Sequence, residues 1–161
     1  MALQFTLIGL TMGIYEFRRI VSGFCKEAAL QDSSAIASGK TFLIHQCLVW
    51  LQYIEVADLC RIVIDLGKPA NGIPPNVAQM MLESNCGSHS RYLPFLGING
   101  KDGHALLMLH IPLSLLSREI KLYFLLDQQL FPLIKAWQSC FESAGESMSD
   151  ANEVLPNCGF A

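Results

Sequence analysis

The residues in this chain with the right types for metal binding or covalent chemistry are its six cysteines and four histidines. Cys86-Gly-Ser-His89 together with His45-Gln-Cys47 offers ligand types that suit zinc. The spacing is loose and contains no paired CxxC, so buried or incidental Cys and His is the simpler reading. Nucleophilic catalysis by Cys25, Cys47 or Cys60 would need a histidine within hydrogen-bond reach of the thiol. Their apolar flanks suit inert, buried thiols instead. His104 and His110 bracket an apolar strand, where acid–base work would call for a carboxylate in a cleft, and Asp102 reads as a turn residue. Gly97, Gly100 and Gly103 fall in a hairpin rather than between a strand and a helix, which excludes phosphate-loop and dinucleotide patterns. These residues imply no catalytic centre, no metal and no cofactor.

Composition points elsewhere. Of 161 residues, 52% are hydrophobic and 16% charged, with a mean hydropathy of +0.36. An ordinary soluble domain carries roughly 25% charged residues, so this chain has more apolar surface than a lone monomer needs. A formal charge of -3 without any Lys/Arg cluster argues against nucleic acid. The apolar start, Met1 to Met12, lacks the basic flank and small-residue cleavage site of a signal peptide, and Glu16 interrupts it before it could span a bilayer. The six cysteines are scattered rather than framed for disulfides, which fits a reducing cytoplasm.

The elements that would position these residues follow from periodicity. Ile14, Phe17, Val21, Phe24 and Ala28 recur at helical spacing, predicting an amphipathic helix that ends near Leu30. Asp32 to Gly39 reads as a loop. Thr41 to His45, Leu48 to Ile54 and Cys60 to Leu66 are rich in β-branched and aromatic residues and predict a three-stranded meander. Prolines and glycines from Gly67 to Pro75 stop the sheet and start a helix from Pro75 to about Asn85. Tyr92 to Ile98 and His104 to Ile111 flank Asn99-Gly100-Lys101-Asp102-Gly103, a hairpin signal.

A last helix follows, capped by Ser114 or Ser117, with a kink or break expected at Pro132. Leu115, Leu116, Ile120, Leu122, Tyr123, Phe124, Leu125 and Leu126 would cover most of its circumference, which calls for cover beyond a single sheet. The predicted architecture is α+β: a two-layer sandwich of helices on a five-stranded antiparallel sheet in the order α-β-β-β-α-β-β-α. Residues 1–145 form one domain, and the polar stretch 146–161 is expected to be a disordered tail.

Alternation and helical spacing assign Ile62, Ile64, Leu107, Leu109 and Tyr123 to the core. Phe17, Phe42, Ile44 and Trp50 are open to either core or surface roles, because their elements carry two apolar faces or lie at a sheet margin. An apolar groove beside a strand edge is the physical basis for capturing an extended peptide.

The segment NVAQMMLESN, then YLPFLGINGKDGHALLMLHIPL, then a terminal amphipathic helix resembles the class I type III secretion chaperones, the Tir chaperone family. The positions that carry the resemblance are Met81, Leu82 and Asn85; Leu93, Gly103, Leu106, Leu107 and Leu109; and the corner Pro112-Leu113. It covers Gly13 to about Phe141. The resemblance implies a bacterial, cytoplasmic homodimer without enzymatic activity that binds the N-terminal segment of a secreted virulence effector. By position it implies effector contacts at Ile14, Phe17, Phe42, Ile44 and Trp50. The implied dimer interface is Val77, Met80, Met81, Leu82, Leu93 and Phe95. Two other readings use the same apolar excess: a small ligand-binding or enzymatic α+β domain with an apolar cavity, and a subunit of a stable heteromeric complex.

Overall fold

A computed structural model describes the backbone of residues 2–86 and 94–151, and the surroundings of the side chains of 13–86 and 94–143. Helix α1 (Ala2–Glu27) is followed by a short helix α2 (Ser33–Ala37) and strands β1 (Phe42–Ile44), β2 (Cys47–Ile54) and β3 (Leu59–Gly67). Helix α3 (Pro75–Cys86), strands β4 (Phe95–Ile98) and β5 (Ala105–Pro112), and helices α4 (Leu113–Arg118), α5 (Leu122–Phe124) and α6 (Phe131–Ala151) complete the chain. All five strands pair antiparallel in the order β1-β2-β3-β5-β4. The predicted α+β architecture is therefore what forms.

The sheet has one covered face and one open face. Val49 and Leu51, Ile62 and Ile64, and Leu107 and Leu109 alternate onto the helix side, where each is almost fully buried. Phe17, Val21 and Phe24 of α1, Val77 and Met81 of α3, and Leu130, Ile134 and Trp137 near and along α6 complete that core. Burying one such large side chain contributes about 1.5–3 kcal/mol, so this face holds the fold together.

Three local expectations are corrected. Asp32 to Ala37, expected as loop, is helical at Ser33–Ala37, because Asp32 caps it: its carboxylate accepts from the Ala35 N–H at 3.2 Å. The last helix starts at Leu113, with Pro112 at its N-cap position and no side-chain cap from Ser114 or Ser117. The chain then leaves helix from Glu119 to Lys121 rather than at Pro132. Around Pro132 the helix widens into a π-helical segment, Leu125–Leu130, and α6 carries the proline in its first turn. An interior proline ring strikes the carbonyl four residues back; one wider turn moves that carbonyl aside without ending the helix.

The break at Ile120 also undoes the all-round apolar helix read from sequence. Leu122, Leu125 and Leu126 face the core, whereas Phe124 is 52% exposed and Tyr123, expected in the core, is 36% exposed. Helix α6 runs on to Ala151.

Candidate partner-binding surface

The two margins of the sheet are β1 and β4. In an antiparallel ladder, successive residues send their N–H and C=O groups to opposite sides of the strand. The β1–β2 hairpin closes on Ile44 and Cys47, which face each other as Phe42 and Val49 do, so Leu43 turns its backbone polar groups outward. Leu43 is 60% exposed, and among the described residues no side chain bonds its backbone. This edge is open.

The hairpin that presents it is tightly held. Both loop residues, His45 and Gln46, have positive φ, 48° and 69°, the twist that a two-residue hairpin needs and that Asn-Gly usually supplies. Here the strain is met by tertiary anchoring. The His45 imidazole bonds Asp127 through Nε2 at 2.7 Å and lies against the Phe131 ring at 3.8 Å between centroids. Asp127 in consequence sits below the usual carboxylate range, chiefly through the hydrogen bond from His45 and then that from Gln128.

Beside this edge, a cleft of about 420 Å³ lies between the end of α2 and β2. Its lining includes Ile14, Ala37, Gly39, Trp50, Gln52 and Tyr53. It therefore joins Ile14 and Trp50, two of the residues implied as effector contacts. Tyr53 stacks on Phe17 at 5.7 Å and donates to Asp58 at 3.0 Å; burial and that carboxylate push its phenol up to about 12. Phe17 is fully buried, and Phe42 is 7% exposed and packs on Phe24 at 5.5 Å. Ile44 is half-buried.

The open sheet face begins at Trp50. Pairing places Trp50, Val63, Met108 and Phe95 in one row across four strands, with Leu43, Leu48 and Leu106 on the same face. Trp50, Met108 and Phe95 are half-buried, and Leu48 is 44% exposed. Sequence reasoning had found Trp50 by its two-faced strand but had not singled out this row, which the register alone reveals.

At the opposite margin, α3 lies along β4. Val77 and Met81 are core residues, while Met80 and Leu82 are 45% and 66% exposed. Phe95 is half-buried on the open face, its ring 5.4 Å from that of His110; Leu93 lies outside the described residues. Leu96 turns its N–H and C=O outward here, as Leu43 does at the other margin. The Asn85 side chain occupies both: Oδ1 accepts from the Leu96 N–H at 2.7 Å and Nδ2 donates to the Leu96 C=O at 2.9 Å. Asn85 was legible only as part of the resemblance, not for this role.

The residues singled out for chemistry are placed as follows. Cys25, Cys47 and Cys60 are buried, and burial pushes all three thiols up, Cys60 to about 12. Cys86 is exposed, and His89 lies outside the described residues. Asp65 approaches His104 Nδ1 with both oxygens at 2.9 Å. Among the described residues no three His, Cys, Asp or Glu side chains converge as a metal site, and no helix is long and apolar enough to cross a membrane.

Among solved structures, a chain of the HopA1–SchA chaperone–effector complex matches with a TM-score of 0.56 at 14% identity, over 80% of this chain and 97% of the other. The two chains share the α+β fold described above. A chain of the ExsC–ExsE complex matches as well, with a TM-score of 0.50 at 15% identity, over 88% and 95% of the two chains. No protein-family model and no curated protein matches the sequence.

Proposed function

We propose that this protein is a type III secretion chaperone that holds the N-terminal segment of an effector extended in the bacterial cytoplasm and hands it to the secretion apparatus, without catalysing a reaction. The observation that carries the reading is the fold likeness to chains from chaperone–effector complexes. The open β1 edge supplies a physical route. A client strand pairing with Leu43 gains main-chain hydrogen bonds, side chains on one of its faces extend the open sheet face, and its continuation past the end of β1 reaches the cleft of Ile14 and Trp50. Ile44 flanks this site, whereas Phe17 and Phe42 support it from beneath.

The homodimer belongs to the same proposal. Met80 and Leu82 offer the apolar surface on α3, with Phe95 and Leu93 on the adjoining strand segment, while Val77 and Met81 hold the helix against its own core. Light scattering should find a dimer at micromolar concentration that Leu82→Asp dissociates; a well-behaved wild-type monomer would refute this part.

Co-expression with the product of the adjacent open reading frame is the direct test of function. A soluble complex that purifies intact, and from which the Trp50→Asp chaperone is lost while remaining folded, is the expected result. Phe42→Asp should instead unfold the chain, because it buries a charge against Phe24. Failure to retain any protein segment, together with tight binding of a small metabolite, would sink the reading.

A further inference from the structure

The open face of the sheet carries a cation with no acidic partner. Arg61, on the central strand β3, donates from Nε to His110 Nε2 at 2.8 Å and from Nη1 to Gln52 Oε1 at 3.4 Å. Both acceptors are neutral. His110 receives a hydrogen bond at the nitrogen it would protonate, and dehydration, then the charge of Arg61, hold its pKa below the ordinary value. Among the described residues no ion pair includes Arg61. The acidic residue on the same strand and face, Asp65, is engaged by His104 and by the Gly67 N–H at 2.8 Å. Two neutral acceptors thus fix the guanidinium fork and leave its outer N–H groups free, an arrangement suited to a planar carboxylate.

Its neighbours say what kind of molecule brings that carboxylate. Trp50 pairs with Val63 and Gln52 with Arg61, so Trp50 and Arg61 are diagonal neighbours on one face, about 7–8 Å apart and within reach of one ligand side chain. The apolar row Trp50, Val63, Met108, Phe95 runs beside the row Gln52, Arg61, His110. A lone cation beside an apolar row does not suit a polyanion, which needs several. A second copy laid with this same face on it would bring Asp65, already bonded. The match is an apolar peptide with one acidic side chain.

We propose that Arg61 reads a Asp or Glu of the client, in an apolar segment laid over the Trp50 row. This inference rests on the client-binding reading and adds a sequence requirement to it. The test is a displayed library of random peptides selected on the full-length protein and, in parallel, on Arg61→Gln. Wild type should enrich apolar residues together with Asp or Glu, and Arg61→Gln should keep the apolar preference and lose the acidic one. A selected peptide should bind about tenfold more weakly when its acid is changed to the amide, as for loss of one charge-assisted hydrogen bond. The same change should cost little against Arg61→Gln. The peptide-side change needs no protein variant, so it decides the matter even if Arg61→Gln folds poorly. Selection of apolar peptides with no acidic preference, or an acidic preference that survives Arg61→Gln, overturns the inference and leaves the client reading standing. Selection of no peptide at all overturns both.

Discussion

Leu96 at the β4 margin and Leu43 at the β1 margin occupy equivalent positions in their ladders, each sending an N–H and a C=O away from the sheet. Leu96 meets the side-chain amide of Asn85, which takes both groups as a neighbouring strand would, and the residue before the strand, Pro94, has no N–H to offer. Leu43 meets no described side chain. Exposed edges invite pairing with foreign strands, and proteins blunt those they do not use. One amide and one proline blunt the margin beside α3 at Pro94 and Leu96, leaving Ile98 exposed at its far end, whereas no described side chain blunts the β1 margin.

The contrast can be broken from either side. Asn85→Ala should have the largest effect, about 2–3 kcal/mol in urea unfolding, because it strips both partners from Leu96; it should also let the β4 edge recruit strands, visible as concentration-dependent oligomers. Unchanged stability would mean that water replaces the amide without cost. Leu43→Pro removes an outward donor and no ladder bond, so the fold should persist while client affinity falls at least about tenfold, roughly 1.4 kcal/mol. Full binding by this variant would rule out strand addition at β1.

Gly13→Ala should cost about 1–2 kcal/mol as local overpacking. Its Cβ would stand 2.0 Å from the Tyr53 hydroxyl oxygen and 2.8 Å from Asp58 Oδ1, so α1 must shift beside the cleft while the β4 margin stays intact. A thermal melt together with hydrogen exchange would localise that change. The smallest effect is on pH. Asp127 has its folded pKa below that of an ordinary aspartate, so what it contributes is present above the ordinary value and fades as pH falls through the lower, folded one. Asp127→Asn should flatten the acid side of the stability profile and loosen the His45 hairpin; an identical profile would detach that hairpin from the final helix.

Much of the scaffold was legible beforehand. Cys60, Ile62, Ile64 and Leu66 alternate against Arg61 and Asp65, and Asn99 to Gly103 closes a hairpin, with Asn99 N–H on the His104 carbonyl at 2.8 Å. What escaped depends on contacts between distant residues. His45-Gln46 does not read as a tight turn, since its positive φ values are held by Asp127 and Phe131, some eighty residues on. Helical spacing places Phe17 on an apolar face but cannot say whether that face meets the chain's own sheet or a client; Tyr53 and the sheet decide it. Tyr123 is not a core residue because the three-residue break from Glu119 to Lys121 rotates every later position. The client-side pairing of Arg61 with Trp50 exists only across the β2–β3 register, which no local pattern contains.

The unequal margins also set a valence. A sheet open at both ends can add strands at both and extend without limit, as filaments do. With Asn85 bonded to Leu96 at β4, strand addition to this protein is directed to one margin, β1. A client strand docked on β1 becomes the new edge of the sheet, whereas a second copy docked there would meet it β1 to β1 and leave a blunted β4 margin at each end. A molecule built this way lets sheet grow from one side only, which restricts the routes by which an apolar, unfolded segment held on it could nucleate aggregates.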